Sequence, residues 1–213
     1  MSRVIRWLFF AVLVRGVVLV LLGLNLRHRE RLPQGGSAIL AANHNSHLDT
    51  MVLISLMPLS MLPRVRPVAA ADYFLRNRAF AWFSTRVIGI IPIKRQRDRP
   101  DEDLLAPVHE AIGRGDIVCF FPEGSRGEPE RFKPVKSGIA RLAERFPGVP
   151  VYPIYLHGLG KALPKGEALL VPFFLDVFVG QALHWTGDRD SFLGAYRDAM
   201  DALAAEGNFP PWE

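Results

Sequence analysis

Two side chains suited to moving a proton stand five residues apart in Asn43-His44-Asn45-Ser46-His47-Leu48-Asp49. An unperturbed imidazole titrates near a pKa of about 6.5, so His44 can take a proton from a hydroxyl near neutral pH. A carboxylate on its other ring nitrogen would hold one tautomer and stabilise the imidazolium. The spacing sets a condition. On one regular helix an offset of five turns the side chains about 140° apart. The pair can meet only if His44 lies in a loop and Asp49 in the first turn of the helix that follows. Ser46 suits the N-cap of that helix, with Asp49 three residues on, as in a capping box. A cap alone would account for Asp49 without any chemistry. His44, His47 and Asp49 are also metal-ligand types, although His109, His157 and His184 stand isolated.

Other polar groups follow two further apolar runs. Arg95 comes after Gly89–Ile93, and Arg126 lies in Glu123-Gly124-Ser125-Arg126-Gly127 after Ile117–Phe121. Arginine suits two-pronged contact with phosphate, and the glycines permit close approach of the backbone. Ser125 is not in a Gly-x-Ser-x-Gly elbow. No covalent nucleophile stands out, so direct attack by a substrate hydroxyl is the simpler scheme. Cys119 is the single cysteine; it sits in an apolar run and reads as a core residue. One cysteine excludes an intramolecular disulfide framework and a cysteine-based metal cluster.

The elements needed to bring these groups together can be read from periodicity and punctuation. Pro33-Gln34-Gly35-Gly36 marks a turn before an apolar strand, 38–42. Helical spacing runs through Leu48, Val52, Leu53 and Leu56 and stops before Pro58. Residues 66–71 read as a strand, 72–88 as one or two amphipathic helices and 89–93 as a strand. Residues 94–100 form a polar loop. A helix is expected at about 102–113, starting late or kinked because of Pro107. Strands follow at 117–121, 149–156 and 168–179, with helices at 136–146 and 191–206. Alternating strands and helices predict a single α/β domain with a mostly parallel or mixed central sheet flanked by helices. In such sheets ligands gather beyond the carboxyl ends of the strands. The segments 43–49, 94–99 and 122–126 all leave strands there.

The chain has 213 residues, 49% of them hydrophobic, and a net charge of +5. This suits one well-packed domain and argues against disorder. The window 64–99 alone carries +7, and Tyr73, Phe80, Trp82 and Phe83 are interleaved with its charges. Such a patch fits an anionic lipid surface or a phosphorylated substrate. No nucleic-acid-binding motif accompanies it, so nucleic acid is not expected as a partner.

Residues 7–26 form a long apolar run with one charge, Arg15. Twenty helical residues reach about 30 Å, enough for a bilayer core. A central arginine costs roughly 2.5–3.5 kcal/mol on insertion, which weakens a clean span. The last part alternates in period two. The expectation is a helix at about 3–22, in or on a membrane, and a short strand at about 24–28. This divides the chain into an N-terminal membrane-associated helix, 1–23, and a domain, 24–213.

Four blocks, in order, resemble the glycerolipid acyltransferase family, which includes 1-acyl-sn-glycerol-3-phosphate acyltransferases. The first is Asn43-His44 with Asp49. The second is Gly89-Ile90-Ile91-Pro92-Ile93-Lys94-Arg95, and the third Phe121-Pro122-Glu123-Gly124-Ser125-Arg126. The fourth is Val149-Pro150-Val151-Tyr152-Pro153-Ile154, and Lys136-Ser137-Gly138 is similar to the family's Lys-x-Gly segment. The resemblance covers roughly residues 24–180. It implies that His44 is the general base and Asp49 its orienter. It further implies that Arg95 and Arg126 hold the acceptor's phosphate with Glu123, Gly124, Ser125 and Lys136 around them, and that the fourth block lines the acyl site. The donor would be acyl-CoA or acyl carrier protein, with no metal or prosthetic group. The acceptor would be a lysophospholipid, first among them 1-acyl-sn-glycerol-3-phosphate, giving phosphatidic acid. The enzyme would be membrane-associated, in contact with membrane lipid, its catalytic domain on the cytoplasmic face. Lys94 stands where an acidic or polar residue is common, and His47 where an aromatic is common. Both departures leave open another acceptor, such as a lyso-aminolipid. A non-catalytic lipid-binding module is the alternative from a different class.

Overall fold

A computed structural model describes residues 2–18, 22–46, 48–127, 133–162 and 173–209. His47, residues 19–21, residues 128–132 of the loop expected at 122–134 and residues 168–172 of the strand expected at 168–179 lie outside the described residues.

The seven strands among the described residues form one sheet. They are β1 (Leu24–Arg27), β2 (Ala38–Ala42), β3 (Val65–Ala70), β4 (Ile91–Ile93), β5 (Ile117–Phe120), β6 (Val151–His157) and β7 (Leu175–Val179). Their order is β1-β7-β6-β2-β5-β3-β4. All neighbours are parallel except β6 and β7. The sheet is therefore mixed, with β1 and β7 running against the other five.

Successive residues of a strand face opposite sides, and β2 shows this directly. Ala38, Leu40 and Ala42 enter a core that includes Phe10, Val14, Val52, Leu53 and Ile88. Ile39 and Ala41 enter a second core on the other face, with Val108, Ile112, Ile139, Leu142, Phe192 and Tyr196. The first face is covered by α1 (Ser2–Leu8) with its continuation and by α2 (Leu48–Leu56). The second is covered by α5 (Ala106–Gly113), α6 (Gly138–Arg145) and α8 (Arg189–Gly207). The short helices α3 (Ala71–Phe74) and α4 (Arg78–Phe83) lie between β3 and β4, and α7 (Leu159–Ala162) follows β6. Helix α5 begins only at Ala106, with Pro107 in its first turn, where a missing N–H costs nothing.

The amino-terminal segment departs from a free apolar rod. Helix α1 runs on into a π-helical stretch, Phe9–Val14, and helix continues through the described residues to 18. Buried positions recur every four residues: Arg6, Phe10, Val14, Val18 and Leu22. A repeat of four drifts around a 3.6-residue helix. The wider π turn, with its i→i+5 bonds, reduces that drift.

Two arginines in this segment, Arg6 and Arg15, are used within the chain. Arg15 donates to the carbonyls of Ser55 (3.3 Å) and Met57 (2.7 Å), at the carboxyl end of α2. Arg6 donates to Val65 O at 2.7 Å and is 6% exposed. Among the described residues no helix is long and apolar enough to cross a membrane. The described part of the expected amino-terminal helix has one face docked on the domain.

Candidate active site

The strand β2 ends at Ala42, and the chain leaves the sheet at Asn43 and His44 before entering α2. Asp49 lies in the first turn of α2, 0% exposed. His44 Nδ1 and Asp49 Oδ2 are 2.9 Å apart, which satisfies the condition set by their spacing. The same carboxylate oxygen accepts from the N–H groups of Asn45 (2.7 Å) and Ser46 (2.8 Å). Leu48 N–H in turn donates to Ser46 Oγ at 3.3 Å. The cap and the orienter are therefore one group, and the two accounts of Asp49 do not compete. In the neutral ring, donation from Nδ1–H to the carboxylate leaves the lone pair on Nε2.

The loop after β5 is tied to the His44 backbone from both sides. His44 N–H donates to Glu123 Oε1 at 2.9 Å, and Gly127 N–H donates to His44 O at 2.8 Å. The imidazole stacks on Phe121, with centroids 4.1 Å apart and planes 20° from parallel. Glu123 is 2% exposed. Burial pushes its carboxyl up to about 7; the bond from His44 N–H pulls the other way, and the nearby Asp49 charge adds to the rise.

Gly124 is the turn position of this loop. Its φ is +72°, the left-handed region glycine enters freely, and its N–H closes a turn onto Phe121 O at 3.0 Å. A Cβ there would lie 2.9 Å from Lys136 Nζ, so the absent side chain is the space the Lys136 amine occupies. Lys136 N–H also bonds Pro122 O at 3.0 Å. Ser125 is exposed and Arg126 half-buried. Lys133, which carried no expectation, donates from Nζ to Arg126 O at 2.8 Å.

Arg95 is placed differently. It leaves β4 at the edge of the sheet and sits 61% exposed, its Nε 3.2 Å from Asp72 Oδ1. Strands β5 and β3 separate β4 from β2. Three strand spacings amount to about 14 Å. The structure thus gathers His44, Asp49, Glu123, Gly124, Arg126 and Lys136 around two adjacent strand ends. It holds Arg95 apart, on Asp72. Lys94 is engaged as well, with Asp98 at 2.6 Å and Glu102 at 2.7 Å. His47 of the metal-ligand reading lies outside the described residues.

Known proteins resemble this chain in fold and in sequence. The described fold superposes on the crystal structure of the 1-acyl-sn-glycerophosphate acyltransferase PlsC from Thermotoga maritima with a TM-score of 0.78. The match covers 100% of this chain and 81% of that one at 18% identity, a likeness of fold. A chloroplastic 1-acyl-sn-glycerol-3-phosphate acyltransferase of Brassica napus is 33% identical over 65% of this chain and 38% of its own length. Its counterpart in Arabidopsis thaliana is 31% identical over 76% of this chain and 44% of its own length. The chain thus spans less than half the length of these two relatives. The acyltransferase family model matches residues 23–157, a segment that holds His44, Asp49 and the loop after β5. By that match, the chain belongs to the acyltransferase family.

Proposed function

We propose that this protein transfers a fatty acyl group from a thioester to the hydroxyl of a lysophospholipid, with 1-acyl-sn-glycerol-3-phosphate as acceptor and phosphatidic acid as product. The observation that carries the chemistry is the 2.9 Å contact of His44 Nδ1 with buried Asp49, which leaves Nε2 as the base. The names of the relatives support the acceptor. His44 Nε2 takes the proton of the acceptor hydroxyl as its oxygen bonds to the thioester carbonyl carbon. The tetrahedral intermediate then collapses, the C–S bond breaks, and the imidazolium returns the proton to the departing thiolate. General-base help of this kind contributes about 10²–10⁴-fold. Arg126 and Lys136, on the loop tied to His44, receive the phosphate; Glu123 and Gly124 shape that loop, and Ser125 lies exposed between them.

Acyl-CoA or acyl carrier protein serves as donor, and no metal or prosthetic group takes part. Arg95 reaches the acceptor by giving up Asp72 as partner, an exposed pair of the kind worth only about 0–1 kcal/mol.

Membrane association belongs to the same reading. The outer side of the amino-terminal helix exposes Val4, Trp7, Leu8, Val12 and Leu13, and Leu75 and Trp82 are exposed on the neighbouring helices. Phe9 meets Phe83 edge-on at 5.4 Å, so the two regions lie side by side. The helix lies on the lipid surface by its outer face, with the catalytic domain on the cytoplasmic side.

The test is product analysis with labelled acyl-CoA and a panel of lysolipids. Labelled phosphatidic acid formed from lysophosphatidic acid, ahead of lyso-aminolipids and neutral lysolipids, is the expected result. Transfer confined to another lysolipid would replace the acceptor, and no transfer to any would remove the reading.

A further inference from the structure

The residue before the base is a buried amide with two strong bonds. Asn43 is 3% exposed. Its Nδ2 donates to Leu156 O at 2.8 Å, and its Oδ1 accepts from Leu156 N–H at 2.8 Å. Both partners are on β6, 113 residues away. The ladder between β2 and β6 shows what these bonds replace. Ala42 pairs with Ile154 in parallel register, and Ile39 N–H donates to Pro150 O. In a parallel ladder alternate residues bond the neighbour strand on either side of their partner. Continued two residues, Leu156 N–H would meet the main-chain carbonyl of Asn43, and Leu156 O would accept from Asn45 N–H.

The Asn43 side chain takes both positions, so Leu156 is satisfied without the main chain of Asn43 or Asn45. The displaced group has another use. Asn45 N–H donates to Asp49 Oδ2 at 2.7 Å, on the oxygen that holds His44 Nδ1. The main chain, turned out of the sheet at the same point, offers His44 N–H to Glu123 and His44 O to Gly127.

We propose that Asn43 is a positioning residue: its side-chain amide substitutes for two backbone groups of the β2–β6 ladder and so frees the following peptide units to hold His44 and Asp49 in register. This role presupposes that His44 is the base of the acyl transfer. Without the amide, the unpaired Leu156 groups compete for Asn45 N–H and pull the chain back toward the ladder. That path would misplace the imidazole, and a displacement of about 1 Å costs on the order of 100-fold in rate.

Two variants test the role in the full chain. Asn43→Ala is expected to lower kcat about 10–100-fold. KM for acyl-CoA and for the lysolipid should change less than about twofold, since Asn43 is buried and its amide is taken up by Leu156. The histidine ¹⁵N spectrum should show His44 losing its single Nδ1–H tautomer. Asn43→Asp keeps the acceptor for Leu156 N–H but, once ionised, cannot donate to Leu156 O. Its kcat relative to wild type should rise at least about fivefold from about pH 8 to about pH 5.5, as the buried carboxyl gains a proton to donate.

A kcat within twofold of wild type in folded Asn43→Ala, or an unchanged tautomer, would overturn the proposal. If that variant does not fold, a flat kcat ratio for Asn43→Asp does so. The base assignment fails separately: His44→Ala would stay active, whereas failure here leaves His44→Ala inactive and the Asn43 variants unimpaired.

Discussion

At the scale of single residues, the account rests on groups that serve two purposes with one atom. Asp49 Oδ2 caps α2 and orients His44. Asp49→Asn should therefore lose rate far beyond its loss of stability. An amide oxygen can still accept from the Asn45 and Ser46 N–H groups, so the fold should weaken by about 1 kcal/mol. The amide oxygen, kept in place by the Asn45 and Ser46 N–H groups, carries no charge to stabilise the imidazolium, and kcat should fall by about 100-fold or more. Steady-state kinetics beside denaturant unfolding separates the two effects.

Glu123 allows a sharper test. Its folded pKa, about 7, lies above the ordinary 4.5 because burial disfavours its charge. As pH rises the unfolded chain loses this proton first, so stability falls between about pH 4.5 and pH 7 and is level outside that window. The full effect is about 3 kcal/mol. Glu123→Gln keeps a carbonyl oxygen for His44 N–H and has no proton to lose. Its unfolding midpoint should gain on wild type across that window; parallel pH profiles for the two proteins would contradict the assignment.

At the scale of elements, the amino-terminal helix is a clamp on the elements that carry the site. Arg15 supplies charged donors to carbonyls at the end of α2, where the helix dipole also favours a cation. Arg15→Met should cost about 1–2 kcal/mol, read as a lowered denaturant midpoint. Arg6 does the same at the start of β3. Burial draws its pKa down to about 10, with Arg66 adding to the fall. Its guanidinium lies against Gly89, which ends a π-helical turn, Ser84–Ile88, at a φ of +81°. A Cβ on Gly89 would fall 1.8 Å from Arg6 Nη1. Gly89→Ala should thus cost about 3 kcal/mol through backbone strain and the displaced arginine. A second variant with Arg6→Ala should recover part of that loss. The opening glycine of the second sequence block is explained by this packing.

At the scale of the whole molecule, the outer face of the amino-terminal helix should govern where the enzyme works more than how fast. Changing Trp7, Leu8 and Leu13 together to serine should weaken binding to anionic vesicles by about tenfold or more. Turnover of lysolipid dispersed in detergent should persist, as a sedimentation assay and a rate assay on the same protein would show. The α/β order, most strand positions and the His44–Asp49 geometry were legible in the sequence, because strands and helices carry short-range periodicity and the cap restricts two residues five apart. The rest depends on contacts distant in sequence. Nothing local in Leu175–Val179 says that β7 runs against β6. Arg15 reads as a cost to a membrane span until the carbonyls of Ser55 and Met57, 40 and more residues on, are seen to receive it. The four-residue burial repeat from Arg6 to Leu22 carries meaning only with the π turn. Arg95 was grouped with the site by its motif, and the strand order puts it at the far edge beside Asp72.

Release of free thiol from acyl-CoA, followed with and without lysophosphatidic acid for wild type and for His44→Ala, tests the central claim most directly. The account predicts release by wild type that depends on the lysolipid, and a loss of about 100-fold or more in the variant. Lysolipid-dependent release by His44→Ala at the wild-type rate would contradict it.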